Sequence, residues 1–138
     1  MPRRSITDER GFTLVEVLVV VLMLAILAMI ALPAFLGQRD KGQDTEAQSM
    51  VRTALVALRT YDTDHHTFDV EREDLERIEP AIGEATAHFD VDGTDTSFEI
   101  TERSASGTEF TITRADDGTV TRTCGVPGHG LCDDDNTW

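Results

Sequence analysis

Two cysteines and a histidine near the C-terminus offer one candidate for side-chain chemistry. Cys124 and Cys132 flank the segment GVPGHGL, whose three glycines and one proline allow a small loop to close. A disulfide there would stabilise the fold by roughly 2–3 kcal/mol in an oxidising compartment. The alternative is a metal site in which His129 and Asp133 join the two sulfurs. Metal motifs usually space cysteines by about two to four residues, so the disulfide is favoured and no metal site is predicted.

Two further polar clusters are explained by exposure to solvent. The run DDDN at 133–136 is a possible calcium loop, but it lacks the glycine and the terminal glutamate of an EF-hand. A solvated acidic tail is therefore predicted. His65 and His66 have no spaced metal-ligand partner, so a polar loop is predicted over 62–69. Because no catalytic set or phosphate-binding loop is identifiable, we expect neither an enzyme nor a cofactor.

Glu16 is the one charged residue between Phe12 and Leu36. A carboxylate within hydrocarbon costs roughly 2.5–3.5 kcal/mol, so it normally has a partner or a function. The alternative is that Glu16 lies at a membrane boundary and reaches water.

The element that carries Glu16 is a long apolar run. Val17 to Leu36 are twenty uncharged residues, and at ~1.5 Å per residue they span about 30 Å, the thickness of a bilayer's hydrocarbon core. A secretory signal usually has a shorter apolar region of about 7–15 residues. We therefore predict a transmembrane helix over 12–36, with the basic segment 1–11 before it on the cytoplasmic side.

The segment GFTLVE, from Gly11 to Glu16, followed by an unbroken apolar helix, closely resembles the N-terminal signal of type IV pilins and pseudopilins. A basic leader over 1–11, a Gly-Phe junction and Pro33 late in the apolar run add to the resemblance. It is strong over about the first 60 residues and holds only in outline beyond them. The segment ALPAFLGQR at 31–39 is similar to the pilins of Gram-positive, especially actinobacterial, bacteria.

The resemblance implies a role for each matching residue. A prepilin peptidase would cut after Gly11, and the new N-terminal Phe12 would be N-methylated. Glu16 would pair with the Phe12 amine of a neighbouring subunit, which compensates both charges and fixes the register. Pro33 would kink the helix, because it lacks an N–H group and its ring crowds the preceding turn.

The resemblance also implies partners and a location. The partners would be further copies of the chain in a helical filament, the prepilin peptidase and the inner-membrane assembly machinery. The chain would be a single-pass protein of the cytoplasmic membrane, N-terminus inside, and then part of an extracellular pilus. A pseudopilin of a type II secretion system is the alternative. A monomeric membrane-anchored binding domain is a weaker one, because it leaves the Gly-Phe junction and Glu16 without a reason.

Residues 37–138 are predicted to form a soluble α+β head. The amphipathic helix is expected over 37–62, a loop with a short helix over 63–83, an antiparallel sheet over 84–124, and the disulfide loop and tail over 124–138. A long helix packed on a four-stranded sheet agrees with the ladle-like pilin fold that the resemblance implies. The apolar stripe of the helix recurs at helical spacing: Ala47, Met50, Val51, Ala54, Leu55, Leu58 and Tyr61.

Four strands are predicted where apolar and polar residues alternate, with turns at Asp92-Gly93, 104–107 and 116–118. The polar residues of the helix lie mostly off its apolar stripe: Asp44, Glu46, Gln48, Arg52 and Arg59.

The charge of the chain is concentrated in this head. The chain has 12 basic and 26 acidic residues, a net charge of −14, and yet 40% of its residues are hydrophobic. Such a composition excludes a collagen, a repeat solenoid and a disordered acidic tail. Nucleic-acid binding through the acidic head is not expected, because phosphate binding requires a cationic surface.

Overall fold

A computed structural model describes residues 12–138 in two compact units, with the boundary between Leu36 and Gly37. Helix α1 covers Leu14–His65 and contributes to both units. In the first unit every described side chain is exposed to solvent. α1 continues through Pro33, so the kink at that residue stays a prediction. The leader over 1–11, which includes Gly11, lies outside the described residues.

The second unit is an α+β fold in which the C-terminal part of α1 packs on an antiparallel sheet, as predicted. After α1 come the short helix α2, Arg72–Ile78, and a 3-10 helix, Pro80–Glu84. The sheet follows in chain order, β1-β2-β3-β4, with every neighbouring pair antiparallel. Its strands are β1 Asp90–Gly93, β2 Phe98–Arg103, β3 Glu109–Arg114 and β4 Val120–Cys124.

The core lies between α1 and the alternating inward residues of the two central strands. Ile100 of β2 pairs in register with Ile112 of β3, and both are fully buried. Val51, Ala54 and Leu58 face them from α1 and are also fully buried. The predicted apolar stripe is confirmed, with Met50 and Tyr61 half-buried at its margin.

Asp44 corrects the amphipathic pattern of the helix, because it lies off the apolar stripe and is nevertheless fully buried. Its Oδ1 accepts a 2.5 Å hydrogen bond from the Ser106 hydroxyl, in the turn between β2 and β3. Its Oδ2 accepts a 3.0 Å bond from the backbone N–H of Leu131, in the loop before Cys132. A buried carboxylate is tolerated when such donors satisfy it. Asp44 therefore joins α1 to two distant parts of the chain.

The end of α1 is a second correction. The helix extends to His65 rather than Asp62, and the ring of His65 stacks on Tyr61 with 4.0 Å between ring centroids. His66 then adopts a left-handed φ of 59° while its N–H bonds the carbonyl of Asp62. A residue in this conformation is a common helix terminator. The two histidines thus form the C-terminal end of the helix.

Gly93 is a third correction, since it lies within β1 rather than in a turn. It pairs in register with Phe98, and the turn follows at 94–97, where the N–H of Thr94 bonds the carbonyl of Ser97. A Cβ at Gly93 would overlap the backbone carbonyl of Phe68. The glycine is therefore explained by close backbone approach and not by turn geometry.

Gly130 provides a test of the buried Asp44. It has a φ of +62°, and a Cβ there would overlap Oδ2 of Asp44. Gly107 has a φ of +97° but no neighbour within 4 Å. We expect Gly107→Ala to cost about 1 kcal/mol of unfolding free energy through backbone strain, and Gly130→Ala about 2–3 kcal/mol through strain plus a lost buried bond.

The measurement is urea unfolding of the detergent-solubilised full chain, followed by the fluorescence of Trp138, the single tryptophan. Equal losses for the two variants would show that the bonds of Asp44 contribute nothing to the stability of the second unit.

Candidate functional site

The start of α1 is organised by a reciprocal pair of hydrogen bonds between Thr13 and Glu16. The Thr13 hydroxyl accepts from the Glu16 backbone N–H at 3.2 Å. Oε2 of Glu16 accepts from the backbone N–H of Thr13 at 3.0 Å and from its hydroxyl at 2.8 Å. This arrangement is a capping box, which satisfies N–H groups that the first helical turn leaves without partners.

The capping box was missed in the sequence, although its signal, Thr-x-x-Glu directly before an apolar run, is present at 13–16. It gives Glu16 a role within its own chain. The carboxylate also lies at the positive end of the helix dipole, which favours a negative charge.

The carboxylate and the residue before it are both accessible. Phe12 is 77% exposed and Glu16 is exposed as well. Among the described residues, Glu16 is therefore held in a defined and exposed position at the start of α1, four residues after Phe12. A group of opposite charge can approach it without displacing any core residue.

The rest of the first unit is an uncharged apolar surface. The large hydrophobic side chains from Val17 to Leu36 are between 43% and 77% exposed. By length and composition α1 is able to cross a membrane: an 18-residue window has a mean hydropathy of 3.0, and none of it is buried. Such a surface requires lipid or other apolar helices around it.

The C-terminal loop is closed by a disulfide between Cys124 and Cys132, with Cα atoms 5.7 Å apart. The sulfurs are bonded to each other and so are not thiolate ligands for a metal. His129 instead has its Nε2 3.9 Å from Oδ2 of Asp40 and its Nδ1 3.4 Å from the Thr108 hydroxyl. The loop between Cys124 and Cys132, whose Leu131 N–H bonds Asp44, is thus fixed by the disulfide and by the contacts of His129.

The acidic tail is structured by bonds within itself. Oδ1 of Asp135 accepts from the Thr137 hydroxyl at 2.6 Å and from its N–H at 3.1 Å. These bonds lower the pKa of Asp135 below its ordinary value. The stability they contribute is present above the ordinary aspartate pKa and is lost as the pH falls through the lowered one. Within residues 12–138, no group of three or more His, Cys, Asp or Glu side chains is placed to hold a metal ion.

The described residues combine an α+β unit with an apolar helix that is long enough to cross a membrane and has a single acidic residue in its first turn. Residues 6–32 match the family model described as the prokaryotic N-terminal methylation motif. The chain is 28% identical over 92 residues to type II secretion system core protein G of Escherichia coli K12. That match covers 65% of this chain and 63% of the relative.

Other relatives belong to different systems. The type IV wide pilus major component of Thermus thermophilus is 31% identical over 61 residues, covering 44% of this chain and 47% of the relative. A competence protein of Halalkalibacterium halodurans is 28% identical over 75 residues, covering 54% and 74%. These findings confirm the resemblance to the type IV pilin and pseudopilin family, although the chain spans less than two thirds of the E. coli relative.

Removal of the disulfide gives a test of the loop. In the double variant Cys124→Ser/Cys132→Ser, we expect a loss of roughly 2–3 kcal/mol in unfolding free energy, because the unfolded chain regains the entropy of an open loop. Urea unfolding of the full chain in detergent measures it. The matched control is the wild-type chain under a reductant, which should show the same loss, and an unchanged unfolding midpoint in both would contradict a stabilising disulfide.

Proposed function

We propose that this chain is a structural, non-catalytic subunit of a type IV pilus-like extracellular filament. It is made as a prepilin, processed at its N-terminus and polymerised through α1. The alternative is a pseudopilin of a type II secretion system, and both belong to the class of filament subunits. A filament rather than an anchored monomer is supported by the family of the relatives.

The observation that carries the proposal is the position of Glu16 at the start of α1. A membrane anchor requires only an apolar helix, and the charge of Glu16 adds a cost to it. Glu16 is nevertheless held by Thr13 in the first turn, beside the residue that cleavage after Gly11 would make N-terminal. A free amine on Phe12 of a second copy is the partner that would compensate this charge among apolar helices.

Processing and assembly are coupled in this scheme. The prepilin peptidase removes 1–11 after Gly11 and so creates the amine on Phe12, which is then N-methylated. Before the cut no such amine exists, and within residues 12–138 the hydrogen bonds of the Glu16 carboxylate are those from its own Thr13. After the cut, Glu16 gives up part of its bonding within the chain for an ion pair between copies, and this pair sets the stagger of neighbouring helices.

The same scheme assigns a location to each segment. The segment 12–36 lies in the cytoplasmic membrane, with the leader inside the cell, until the assembly machinery transfers it to the filament core. The head, 37–138, stays outside the hydrophobic layer throughout. This head has nine of the 12 basic and 23 of the 26 acidic residues, so a filament of such copies presents a repeated anionic coat.

The secretion pseudopilin is the second candidate because relatives from several bacteria are type II secretion core proteins. The two functions differ in where the filament ends. If the chain is a pilin, its deletion removes a filament that shearing of intact cells would otherwise release. If it is a pseudopilin, its deletion stops the export of folded proteins and removes no surface filament.

The cleavage site is tested by Gly11→Leu. A peptidase approaches the backbone most easily at glycine, so we expect this variant to keep residues 1–11 and to form no filaments. Mass spectrometry of the N-terminus measures processing. Gly42→Leu is the control, because Gly42 lies in α1 with no neighbour within 4 Å and should leave cleavage intact. Normal maturation of the Gly11 variant would refute cleavage at this position.

The pairing role of Glu16 is separated from its capping role by three variants. Glu16→Gln keeps a capping side chain but removes the charge, and we expect about a tenfold or greater loss of filaments, as for Glu16→Ala. Thr13→Val keeps the charge, removes the capping hydroxyl and should retain filaments. Membrane insertion should survive in all three, as judged by carbonate extraction. Abundant filaments from Glu16→Gln would refute the ion pair.

A further inference from the structure

A cavity of about 320 Å³ lies in the second unit between α1, the 3-10 helix and the end of β2. Three glutamates contribute to its lining, Glu46 from α1, Glu84 from the 3-10 helix and Glu102 from β2. Arg103 also lines it, but its Nη2 lies 3.9 Å from Oε2 of Glu109, outside the cavity, so the lining keeps an excess of negative charge. Its apolar wall includes Ala47 and Met50 of α1. The combination of carboxylates and aliphatic wall suits the side chain of a lysine or an arginine, whose apolar stem and charged end require different surroundings.

Glu102 supplies the observation that points to an absent partner. It is only 2% exposed, and its Oε1 accepts a 3.2 Å bond from the backbone N–H of Thr86. Its Oε2 is buried and has no hydrogen-bond partner within residues 12–138. A buried charged oxygen without a donor is destabilising, so the site favours a ligand that donates hydrogen bonds and carries a positive charge.

An organic cation fits this cavity better than a metal ion does. The three glutamates do not form a group that could hold a metal within the described part of the chain. A guanidinium or ammonium group instead needs only one or two carboxylate oxygens in reach, and it also supplies the N–H donors that Oε2 lacks.

Suitable basic side chains are present on the same helix. Arg39 and Lys41 are exposed, and neither forms an ion pair within residues 12–138. Asp40, between them, lies 3.9 Å from His129 instead. Arg39 and Lys41 therefore form a basic turn available to another molecule. Since each head is strongly acidic, packing of copies requires such opposite charges at their contacts.

We propose that the cavity receives Arg39 or Lys41 from a second copy of this chain, and that this pair joins neighbouring heads. The inference rests on the proposed filament. The centre of the basic turn lies about six or seven residues before the middle of the 43–50 segment that lines the cavity. At ~1.5 Å per residue, two parallel copies need a displacement of about 10 Å along the helix axis to bring them level.

Cysteine crosslinking between copies tests the contact. Wild type has no free cysteine, because its two cysteines are bonded to each other. Cells that express Lys41→Cys and Glu84→Cys full-length chains together should give covalent dimers in sheared filaments after mild oxidation, and neither variant alone should do so. Lys41→Cys expressed with Asp64→Cys, near the far end of α1, is the matched control. Filaments without the dimer, or an equal yield from the control pair, would overturn the inference.

Glu102→Gln gives an independent readout. It retains an acceptor for Thr86 and removes the buried charge, so the thermal midpoint of the full chain in detergent should be unchanged or higher. The amount of sheared filament should nevertheless fall about tenfold. Glu99→Gln, at an exposed position of the same strand, should change neither. Wild-type amounts of filament from Glu102→Gln would overturn the inference.

The outcomes also separate this contact from the proposed function. If the wild-type chain is processed but forms no filament of any kind, the proposed function fails. If wild-type filaments form and the crosslink is absent, only the contact at Glu102 fails. A Glu102→Gln chain that does not fold leaves the crosslinking result as the deciding measurement.

Discussion

The apolar surface of α1 over residues 17–36 cannot remain in water, and the organisation of the first unit depends on that constraint. At about 25 cal/mol per Å² of apolar surface, a helix with all its large side chains exposed is driven strongly into lipid or against other helices. Lipid tails and neighbouring helices offer the same apolar contact. The apolar surface of residues 17–36 is therefore compatible both with lipid and with a core of packed helices. Charged residues lie only before and after this segment. Glu16 lies at the end where unpaired N–H groups can use a carboxylate.

The second unit follows the opposite rule, with acidic residues outside and an apolar core between α1 and the sheet. Its main exception is Asp44, which is buried and fully bonded. One of its donors, the N–H of Leu131, belongs to the loop that Cys124 and Cys132 close. The disulfide and the carboxylate thus act on the same short segment. Together they fix the last part of the chain to the first helix of the head.

The fold was predictable where burial follows a period. The apolar stripe identifies the helix. The central strands are identified by apolar residues that alternate with polar ones, at Phe98 and Ile100 in β2 and at Phe110 and Ile112 in β3. Asp44 was not predictable, because its donors come from residues 62 and 87 positions away. Gly93 was misplaced because a glycine after aspartate signals a turn, while its real cause is the nearby carbonyl of Phe68.

The residues of the candidate site stay predictions from the family resemblance, and the hydrogen bonds between Thr13 and Glu16 were not predicted. The spacing of Gly11, Phe12 and Glu16 indicates processing and pairing through the family resemblance. The family resemblance assigns no role to the hydroxyl of Thr13, because it explains Glu16 by pairing between subunits. The structure adds the local hydrogen bonds between Thr13 and Glu16, which arise from the geometry of one helical turn. Sequence spacing alone does not show whether a carboxylate already accepts hydrogen bonds from its own chain.

The capping box has a consequence for how a filament comes apart. In a filament of the proposed kind, a subunit that leaves the core loses the amine of its neighbour and recovers the bonds to Thr13. The Glu16 carboxylate would then have hydrogen-bond donors both in the membrane and in the filament, so its charge is unpaired in neither state. On entry into the filament, Glu16 would replace hydrogen bonds to Thr13 by an ion pair with a neighbouring amine. The net free energy of this replacement is smaller than that of pairing a carboxylate that had no partner. In such a filament, the capping box would therefore lower the energy needed to return a subunit to the membrane.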